Sequence, residues 1–280
     1  MQDGGEDASF RVMTQDFSIE IGTTTPCQAT LAGGQRSGTG TPLVLVHGFG
    51  GSRHDWEPVT AALPDDLPLI AYDQRGFGDS HGEAGAPFSH SDDLLALLDA
   101  LELERADLCG LSLGGGTVLN FALNHPERVR RLVLVSPLMV GWSWSADWIE
   151  RWKAIGRAAR GGEMAAARDL WLQHPLFDTA RDGPNAARLR AGIAAFHGRQ
   201  WVQDDQRPEM PDVDRLSALA LPTLLLTGSR DTEDFRLMAE LIDAAGRDVT
   251  RIEHPAAGHL LNLELPQQIA REIAGFIGRG

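Results

Sequence analysis

Gly110-Leu111-Ser112-Leu113-Gly114 is the stretch of sequence that decides the fold. The apolar run from Ala106 to Cys109 predicts a buried strand before it, and a helix is predicted from Gly115 to Asn124. A serine between a strand and a helix lies on a tight turn, where flanking glycines let backbone segments approach closely. The turn raises the hydroxyl above the sheet, close to helix amides without intrahelical partners. We therefore interpret Ser112 as a nucleophile and the Leu113 amide as a donor to a developing oxyanion.

The same alternation of apolar runs and helical segments extends over most of the chain. Further strands are predicted at Leu43 to Val46, Leu67 to Tyr72, Leu132 to Val135, Leu221 to Thr227 and Val249 to Glu253, and further helices at Ser91 to Leu101, Phe235 to Ala245 and Pro266 to Ile277. Runs that are apolar on both faces are typical of parallel strands covered by helices. The pattern predicts an α/β fold, with an antiparallel edge hairpin at Phe17 to Ile21 and Cys27 to Leu31.

The alternation is interrupted between residues 137 and 218. This stretch has no convincing strand pattern, carries Ala and Arg at helical spacing, and holds six of the seven tryptophans, namely Trp142, Trp144, Trp148, Trp152, Trp171 and Trp201. We interpret residues 137–218 as a helical cap inserted into a core domain made of residues 1–136 and 219–280.

The composition narrows the possible partners and locations. The 280 residues carry a formal charge of −14, which opposes attraction to nucleic acid and to anionic membranes. Only two cysteines occur, Cys27 and Cys109, so no disulfide framework is predicted. The N-terminal residues lack a secretory pattern, and no apolar run is long enough to span a membrane. We expect a cytoplasmic monomer or homodimer that binds neither nucleic acid nor membrane.

Four blocks of sequence resemble the α/β-hydrolase superfamily, and the resemblance runs from about Thr41 to the C-terminus outside the cap. The blocks are His47-Gly48-Phe49-Gly50-Gly51, Asp73 to Ser80, Gly110 to Gly114, and a last block in two parts, Thr227 to Asp231 and Gly258-His259. The resemblance implies a mostly parallel eight-stranded sheet flanked by helices. It also implies that the Phe49 amide is the second oxyanion donor, and that the block from Asp73 to Ser80 is structural.

The order of three residues along the chain also resembles that family. A serine hydroxyl needs a base near neutrality, and that base needs an acceptor to hold its tautomer. The resemblance assigns Ser112 as nucleophile, Asp231 as orienting carboxylate and His259 as general base and acid. Two nearby residues compete for these roles: Asp234 for the carboxylate, if the loop is long enough, and His254 for the base.

The identity of the nucleophile favours some reactions over others. Haloalkane dehalogenases and epoxide hydrolases of the superfamily carry an aspartate where this chain has Ser112. Serine favours cleavage of carboxylic esters or lactones of small to medium apolar character through an acyl-enzyme. The block spacing also resembles carbon-carbon hydrolases and perhydrolase-type enzymes, and a ligand-binding protein without turnover is an alternative from another class. The sequence has no H-E-x-x-H, C-x-x-C or EF-hand pattern, so neither a metal nor another cofactor is predicted.

Large apolar side chains near the predicted site are candidates for substrate binding. Trp142, Trp144 and Trp148 follow a predicted strand end, and Met139 and Leu260 lie near them or near the base. Aromatic surfaces at a cavity opening would bury an apolar acyl or alcohol group. The alternative is that these tryptophans only pack the cap onto the core.

Overall fold

A mostly parallel sheet of nine strands forms the centre of the fold in the computed structural model, which describes residues 15–22, 29–82 and 85–278. The strands are β1 (Gln15–Ile21), β2 (Ala29–Arg36), β3 (Leu43–Val46), β4 (Leu69–Tyr72), β5 (His81–Gly82), β6 (Ala106–Leu111), β7 (Val129–Val135), β8 (Thr223–Gly228) and β9 (Val249–His254). Their order is β1-β2-β4-β3-β6-β7-β8-β9, and β5 pairs with β2. The predicted fold class is confirmed. The ninth strand is the two-residue β5, which is too short to leave an apolar run in the sequence.

The directions of the strands follow the predicted pattern. β1, β4 and β5 pair with β2 in antiparallel fashion. From β4 onward, the strands β4, β3, β6, β7, β8 and β9 are parallel to one another. Every residue of β3, β4, β6 and β8 is buried, as expected for strands covered on both faces. The predicted edge hairpin corresponds to β1 and β2, although Cys27 lies outside the described residues.

Helices connect the parallel strands and fill the long connection between β7 and β8. The helices are α1 (Glu57–Thr60), α2 (His90–Ala100), α3 (Leu113–Asn124), α4 (Ala146–Arg160), α5 (Met164–Leu172), α6 (Ala186–Ala195), α7 (Arg199–Val202), α8 (Glu233–Ala245), α9 (Leu261–Glu264) and α10 (Pro266–Ile277). Residues 137–218, all of which are described, contain α4 to α7 and short 3-10 turns but no strand longer than one isolated bridge. We propose that this segment is a cap domain. Among the described residues no helix combines the length and the apolar character that crossing a membrane requires.

The sheet brings four loops of the chain to one edge. The carboxyl ends of parallel strands meet at the same edge of a sheet, and the crevice there is where α/β folds bind ligands. The loops after β3, β6, β8 and β9 carry His47, Ser112, Asp231 and His259. β3 lies beside β6, and β8 lies beside β9, with β7 between the two pairs. Residues far apart in the sequence therefore meet above the middle of the sheet.

Candidate active site

Ser112 lies at a strained turn between β6 and α3. Its backbone has φ 54° and ψ −115°, a conformation that non-glycine residues adopt only where the surrounding structure enforces it. A β-carbon on Gly110 would lie 2.1 Å from the carbonyl oxygen of Gly114, and one on Gly114 would lie 2.3 Å from that of Val46. Only glycine fits at both positions. Because α3 begins at Leu113, the amide of that residue has no acceptor in a preceding helical turn.

The loop after β3 lies directly against the serine. A β-carbon on Gly48 would be 3.4 Å from Cβ of Ser112. The buried His47 holds this loop in place: its Nε2 accepts a 3.0 Å hydrogen bond from the amide of Gln74, so Nδ1 carries the proton and donates to the carbonyl of Gly48 at 2.7 Å. Gln74 also donates from Nε2 to the carbonyl of His47 at 2.9 Å. The block from Asp73 to Ser80 thus supports the loop that presents Phe49.

A buried imidazole and carboxylate face each other across the loops after β8 and β9. Nδ1 of His259 donates to Oδ2 of Asp231 at 2.8 Å, and Oδ1 of Asp231 accepts from the amide of Thr232 at 2.7 Å. The side chains of His259 and Asp231 are 2% and 3% exposed, so water competes little for this bond. Nδ1 is the donor, which leaves Nε2 as the basic nitrogen, and Nε2 has no hydrogen-bond partner within the described part of the chain. His259 and Ser112 line the same cavity.

Two residues that hold His259 in place were missed from the sequence. The carboxylate of Glu264 accepts from the amide of Gly258 at 2.7 Å and from the amide of Leu260 at 3.1 Å, so it fixes the backbone on both sides of the histidine. The ring of Phe235 packs edge-on against the imidazole, with 4.3 Å between ring centroids. An acid five residues beyond the predicted base was the only available signal for Glu264. For Phe235 the sequence offered no signal beyond the apolar character of the residue.

The alternative candidates for the acid and the base face elsewhere. Asp234 accepts from the indole of Trp142 at 3.0 Å, and from the amide and hydroxyl of Ser145 at 3.1 and 2.7 Å. His254 faces α10, with Nδ1 3.2 Å from the amide nitrogen of Gln268 and Nε2 3.0 Å from a carboxylate oxygen of Glu272. Of the two acids and two histidines considered, the pair in mutual contact beside the cavity is Asp231 with His259.

A cavity of about 560 Å³ extends from Ser112 and His259 toward residues 137–218. From the core it is lined by residues that include Gly48, Phe49, Leu113, Phe235 and Leu260. From the segment between β7 and β8 it is lined by aromatic side chains, namely Trp144, Trp148, Trp152, Trp171 and Phe177. We name Trp144, Trp148 and Trp152 the tryptophan wall. The rings of Trp144 and Trp148 are stacked with centroids 4.1 Å apart, and the ring of Trp148 is nearly parallel to that of Trp152.

The predicted substrate-binding residues divide into two groups. Trp144, Trp148 and Leu260 line the cavity. Met139 is 1% exposed, packs within the hydrophobic core and is not part of the lining, and Trp142 is directed to Asp234 instead. Met139 and Trp142 follow β7 closely in the sequence, but the chain turns toward α8 between the end of β7 and the start of α4. The sequence missed the role of Trp152 in the lining, although its spacing of four residues from Trp148 on a helix places the two on one face.

The apolar part of the cavity carries little charge. His174 packs edge-on against Trp148, with ring centroids 4.8 Å apart. Burial, reinforced by Arg151 and His259, lowers the pKa of His174 to about 4, so its ring is neutral at pH 7. The lining contains one lysine and one aspartate, Lys153 and Asp204. The cavity is therefore suited to an apolar group near Ser112.

Other reactive groups and clefts lie away from this arrangement. Burial raises the pKa of the Cys109 thiol, which keeps it protonated. Within residues 15–22, 29–82 and 85–278, no group of three or more His, Cys, Asp or Glu side chains is arranged to hold a metal ion. A larger cleft of about 730 Å³ beside α1 is lined by Arg53, Glu57 and Arg188 among others, and contains none of the four loop residues.

Comparison with known proteins supports a relationship that spans the sheet and the site. The carboxylesterase YbfK of Bacillus subtilis is 30% identical over 85% of this chain and 80% of its own length. The 3-oxoadipate enol-lactonase 1 of Acinetobacter baylyi is 25% identical over 84% of this chain and 88% of its own length. The dihydrolipoyllysine-residue acetyltransferase component of the acetoin cleaving system of Pseudomonas putida is 29% identical over 85% of this chain, which spans only 64% of that protein.

A solved structure supports the same relationship. A hydrolase from Pseudomonas aeruginosa superposes with a TM-score of 0.77 and 30% sequence identity, covering 93% of this chain and 98% of its own. The sequence model of the alpha/beta hydrolase fold family matches residues 41–266, which include all four loops at the carboxyl edge of the sheet. The chain therefore belongs to the alpha/beta hydrolase family.

Proposed function

We propose that the protein is a serine hydrolase that cleaves carboxylic esters or lactones of small to medium apolar character through an acyl-enzyme on Ser112. The observation that carries this proposal is the buried bond between His259 and Asp231, beside the cavity in which Ser112 stands at the strained turn. Names of relatives support the same class of reaction, since they include a carboxylesterase and an enol-lactonase.

The proposed reaction begins with attack of the Ser112 hydroxyl oxygen on the carbonyl carbon. Nε2 of His259 takes the hydroxyl proton, and the carboxylate of Asp231 stabilises the imidazolium that forms. The amides of Phe49 and Leu113 donate to the negative oxygen of the tetrahedral intermediate. Nε2 then returns the proton to the leaving alcohol. Water, activated by the same nitrogen, attacks the acyl-enzyme and releases the carboxylic acid.

We propose that the tryptophan wall and Leu260 contact the apolar half of the substrate. Aromatic side chains supply much of the lining, and His174 behind them is neutral at pH 7. An apolar acyl or alcohol group would lose its hydration there at little cost, whereas a charged group near the serine would lose hydration without a partner. Lys153 and Asp204 are the charged cavity residues in residues 137–218.

The proposal is tested by substrate cleavage and by covalent labelling. Short-chain p-nitrophenyl esters, aromatic esters, lactones and a vinylogous keto acid are supplied separately, and an organophosphate is added in parallel. We expect ester or lactone turnover, inhibition by the organophosphate and a mass adduct on Ser112 that is absent from Ser112→Ala. Preferred cleavage of the keto acid would favour a carbon-carbon hydrolase. Neither turnover nor adduct would overturn the proposal in favour of a ligand-binding protein.

A further inference from the structure

Asp234 is a buried carboxylate with hydrogen bonds that point away from the proposed acid. It is 7% exposed and lies in the first turn of α8, three residues beyond Asp231. Its Oδ1 accepts from the indole of Trp142 at 3.0 Å and from the amide of Ser145 at 3.1 Å, and its Oδ2 accepts from the hydroxyl of Ser145 at 2.7 Å. A buried anion is stable only when such donors satisfy it. These donors all belong to the segment between β7 and β8.

Ser145 connects this carboxylate to the tryptophan wall. It is the N-cap of α4, and its hydroxyl oxygen accepts from the amide of Trp148 at 3.3 Å. The same hydroxyl donates to Asp234, so a continuous path of hydrogen bonds runs from α8 to the first turn of α4. Trp148 lies in that first turn, and Trp152 follows one helical turn later. These hydrogen bonds attach the start of α4 to Asp234.

Phe235, the residue after Asp234, contacts both His259 and the tryptophan wall. The ring of Phe235 packs against His259 on one side, and its centroid lies 5.7 Å from the ring centroids of both Trp144 and Trp148. The five consecutive residues 231–235 thus contain the carboxylate that faces His259, the carboxylate that faces α4, and the ring that lies between His259 and the tryptophan wall. A displacement of this turn would move the tryptophan wall relative to the base.

We propose that Asp234 is a positioning residue for substrate specificity, which holds the tryptophan wall at the distance from Ser112 and His259 that accommodates a planar aromatic group. The inference rests on the proposed function for the class of substrate, whereas the position of the tryptophan wall can be measured without catalysis. Trp144 directly precedes the N-cap of α4, whereas Trp148 and Trp152 lie on α4, and all three are half-buried. Their side chains make no hydrogen bond to the core among the described residues. The hydrogen bonds of Asp234 at the start of α4, which we name the clamp, therefore limit the rotation of the wall.

The number of acceptors explains which substitution should preserve the clamp. Oδ1 and Oδ2 of Asp234 together accept from three donors. In Asp234→Asn the remaining oxygen still accepts from Trp142 and Ser145, and the new amide can donate to the hydroxyl of Ser145, which has two lone pairs. Asp234→Ala loses all three contacts. Comparison of the two variants therefore separates the hydrogen bonds of Asp234, which only Asp234→Ala removes, from its negative charge, which both variants remove.

The first experiment compares aromatic with small esters. Ethyl benzoate and phenyl acetate, which place a ring in either half of the substrate, are compared with ethyl acetate for the wild type, Asp234→Ala, Asp234→Asn and Ser145→Ala. For Asp234→Ala we expect kcat/KM for the preferred aromatic ester to fall by on the order of tenfold more than for ethyl acetate, mainly through KM. Asp234→Asn should restore the preference to within about threefold. Asp243→Ala, at the exposed end of the same helix, is the matched control.

An equal fall for aromatic and small esters would overturn the inference, because it would indicate a loss in the triad or in folding rather than in the wall. An unchanged aromatic preference in Asp234→Ala would overturn it as well. If Asp234→Ala does not fold, Ser145→Ala removes only the hydroxyl link and should show a smaller loss in the same direction.

The second experiment does not require turnover. The stacked rings of Trp144 and Trp148 couple their electronic transitions, which gives a circular dichroism couplet that Trp144→Phe identifies by abolishing it. At a temperature where all variants are folded, we expect the couplet to weaken in Asp234→Ala and to persist in Asp234→Asn and Asp243→Ala. An intact couplet in Asp234→Ala overturns the inference even if the wild type cleaves esters. Absence of any ester cleavage in the wild type would instead overturn the proposed function and leave this measurement valid.

Discussion

The two sides of the cavity are built by different physical means. The side that belongs to the core is fixed by backbone geometry and directed hydrogen bonds. These are the strained turn at Ser112, the hydrogen bonds of Gln74 to His47, and the hydrogen bond from His259 to Asp231. The opposite side is the tryptophan wall, in which neighbouring rings are stacked. The core side would set the geometry of the proposed reaction, and the wall shapes the cavity.

The difference predicts how each side responds to change. Directed bonds fail when a single atom is removed, because the group that remains is misplaced or unsatisfied. Aromatic packing is less directional, so a substitution reduces contact area without removing the mechanism. Substitutions on the core side should therefore lower kcat for every substrate alike. Substitutions in the wall should change the relative rates of different substrates.

The largest effect is expected for Ser112→Ala. Loss of the nucleophile should lower kcat by on the order of 10⁶, because the remaining groups cannot form an acyl-enzyme. The melting temperature should stay close to that of the wild type, since the side chain of Ser112 has no structural hydrogen bond that the described residues reveal. Steady-state and burst kinetics provide the measurement. A residual rate above one hundredth of the wild-type rate would show that another residue is the nucleophile.

The next effect is expected for Asp231→Asn. The amide would favour the wrong tautomer of His259, and kcat should fall by on the order of 10⁴ for aromatic and small esters alike. Asp234→Asn is the matched control, since it makes the same chemical change three residues away, where the acceptor faces α4. A near-normal rate for Asp231→Asn would remove Asp231 from the proposed triad.

A smaller loss is expected for Glu264→Ala. Without the carboxylate, the amides of Gly258 and Leu260 lose their acceptor and the loop that carries His259 loosens. We expect kcat to fall by on the order of tenfold for all esters, since a hydrogen bond to a charged group contributes about 1.5 to 3 kcal/mol. Glu264→Gln keeps one acceptor and should recover part of the rate. A change confined to aromatic substrates would contradict this division of the cavity.

The wall is tested by Trp148→Ala. Removal of this ring takes away part of the aromatic lining and one member of the stack with Trp144. We expect KM for aromatic esters to rise several-fold relative to ethyl acetate, in line with the roughly 1 kcal/mol of an aromatic contact. Leu170→Ala, at an exposed position on α5, is the control. Equal losses for all substrates would place Trp148 with the core side.

The smallest effect concerns the attachment of the segment between β7 and β8. Asp212 accepts from the amide of Val140 at 3.2 Å and from the side chain of Asn120 at 2.8 Å. Burial raises the pKa of Asp212 to about 6, despite these donors and Arg215. The folded state therefore holds this proton more tightly than the unfolded state does. Stability contributed by the group is present at low pH and is lost as the pH rises through about 4 to 6.

We expect this group to lower the free energy of unfolding by on the order of 1 kcal/mol across that window. Denaturant unfolding at a series of pH values measures it, and Asp212→Asn should remove the part of the slope that Asp212 contributes. Asp93, which forms a buried pair with Arg75 and has its pKa raised to about 6 by burial, gives the comparison within the core. An unchanged slope in Asp212→Asn would show that the pH dependence comes from elsewhere.

Strands of the core could be predicted from the sequence where apolar residues are continuous. The prediction of their bounds failed where polar residues interrupt the apolar run. β7 begins at Val129, three residues before the predicted strand, because Arg130 and Arg131 interrupt the apolar run. Within the fold these arginines are satisfied: Arg130 donates from Nε to Asp107 on β6 at 2.8 Å, and Arg131 donates to the carbonyl of Ile277 at 2.8 Å. A polar residue in a strand cannot be anticipated without its partner.

β2 shows a second way in which a strand escapes prediction. The strand continues through Gly33 and Gly34, residues that weaken strands and indicate turns in a sequence. Gly33 pairs with Phe17 across the hairpin, and a β-carbon on it would lie 2.3 Å from the phenylalanine ring. The glycine is required because the ring covers it. This reason exists only once the two strands are paired.

The amino-acid sequence by itself determined the candidate site residues, because those residues lie at strand ends in short patterns. The turn at Ser112 and the loop at Phe49 depend on glycines and on neighbours close along the chain. The tertiary structure alone decided which of two nearby acids faces His259, and which tryptophans line the cavity. Side-chain direction in those cases is set by contacts with helices many residues away, and local sequence holds no record of how such helices pack.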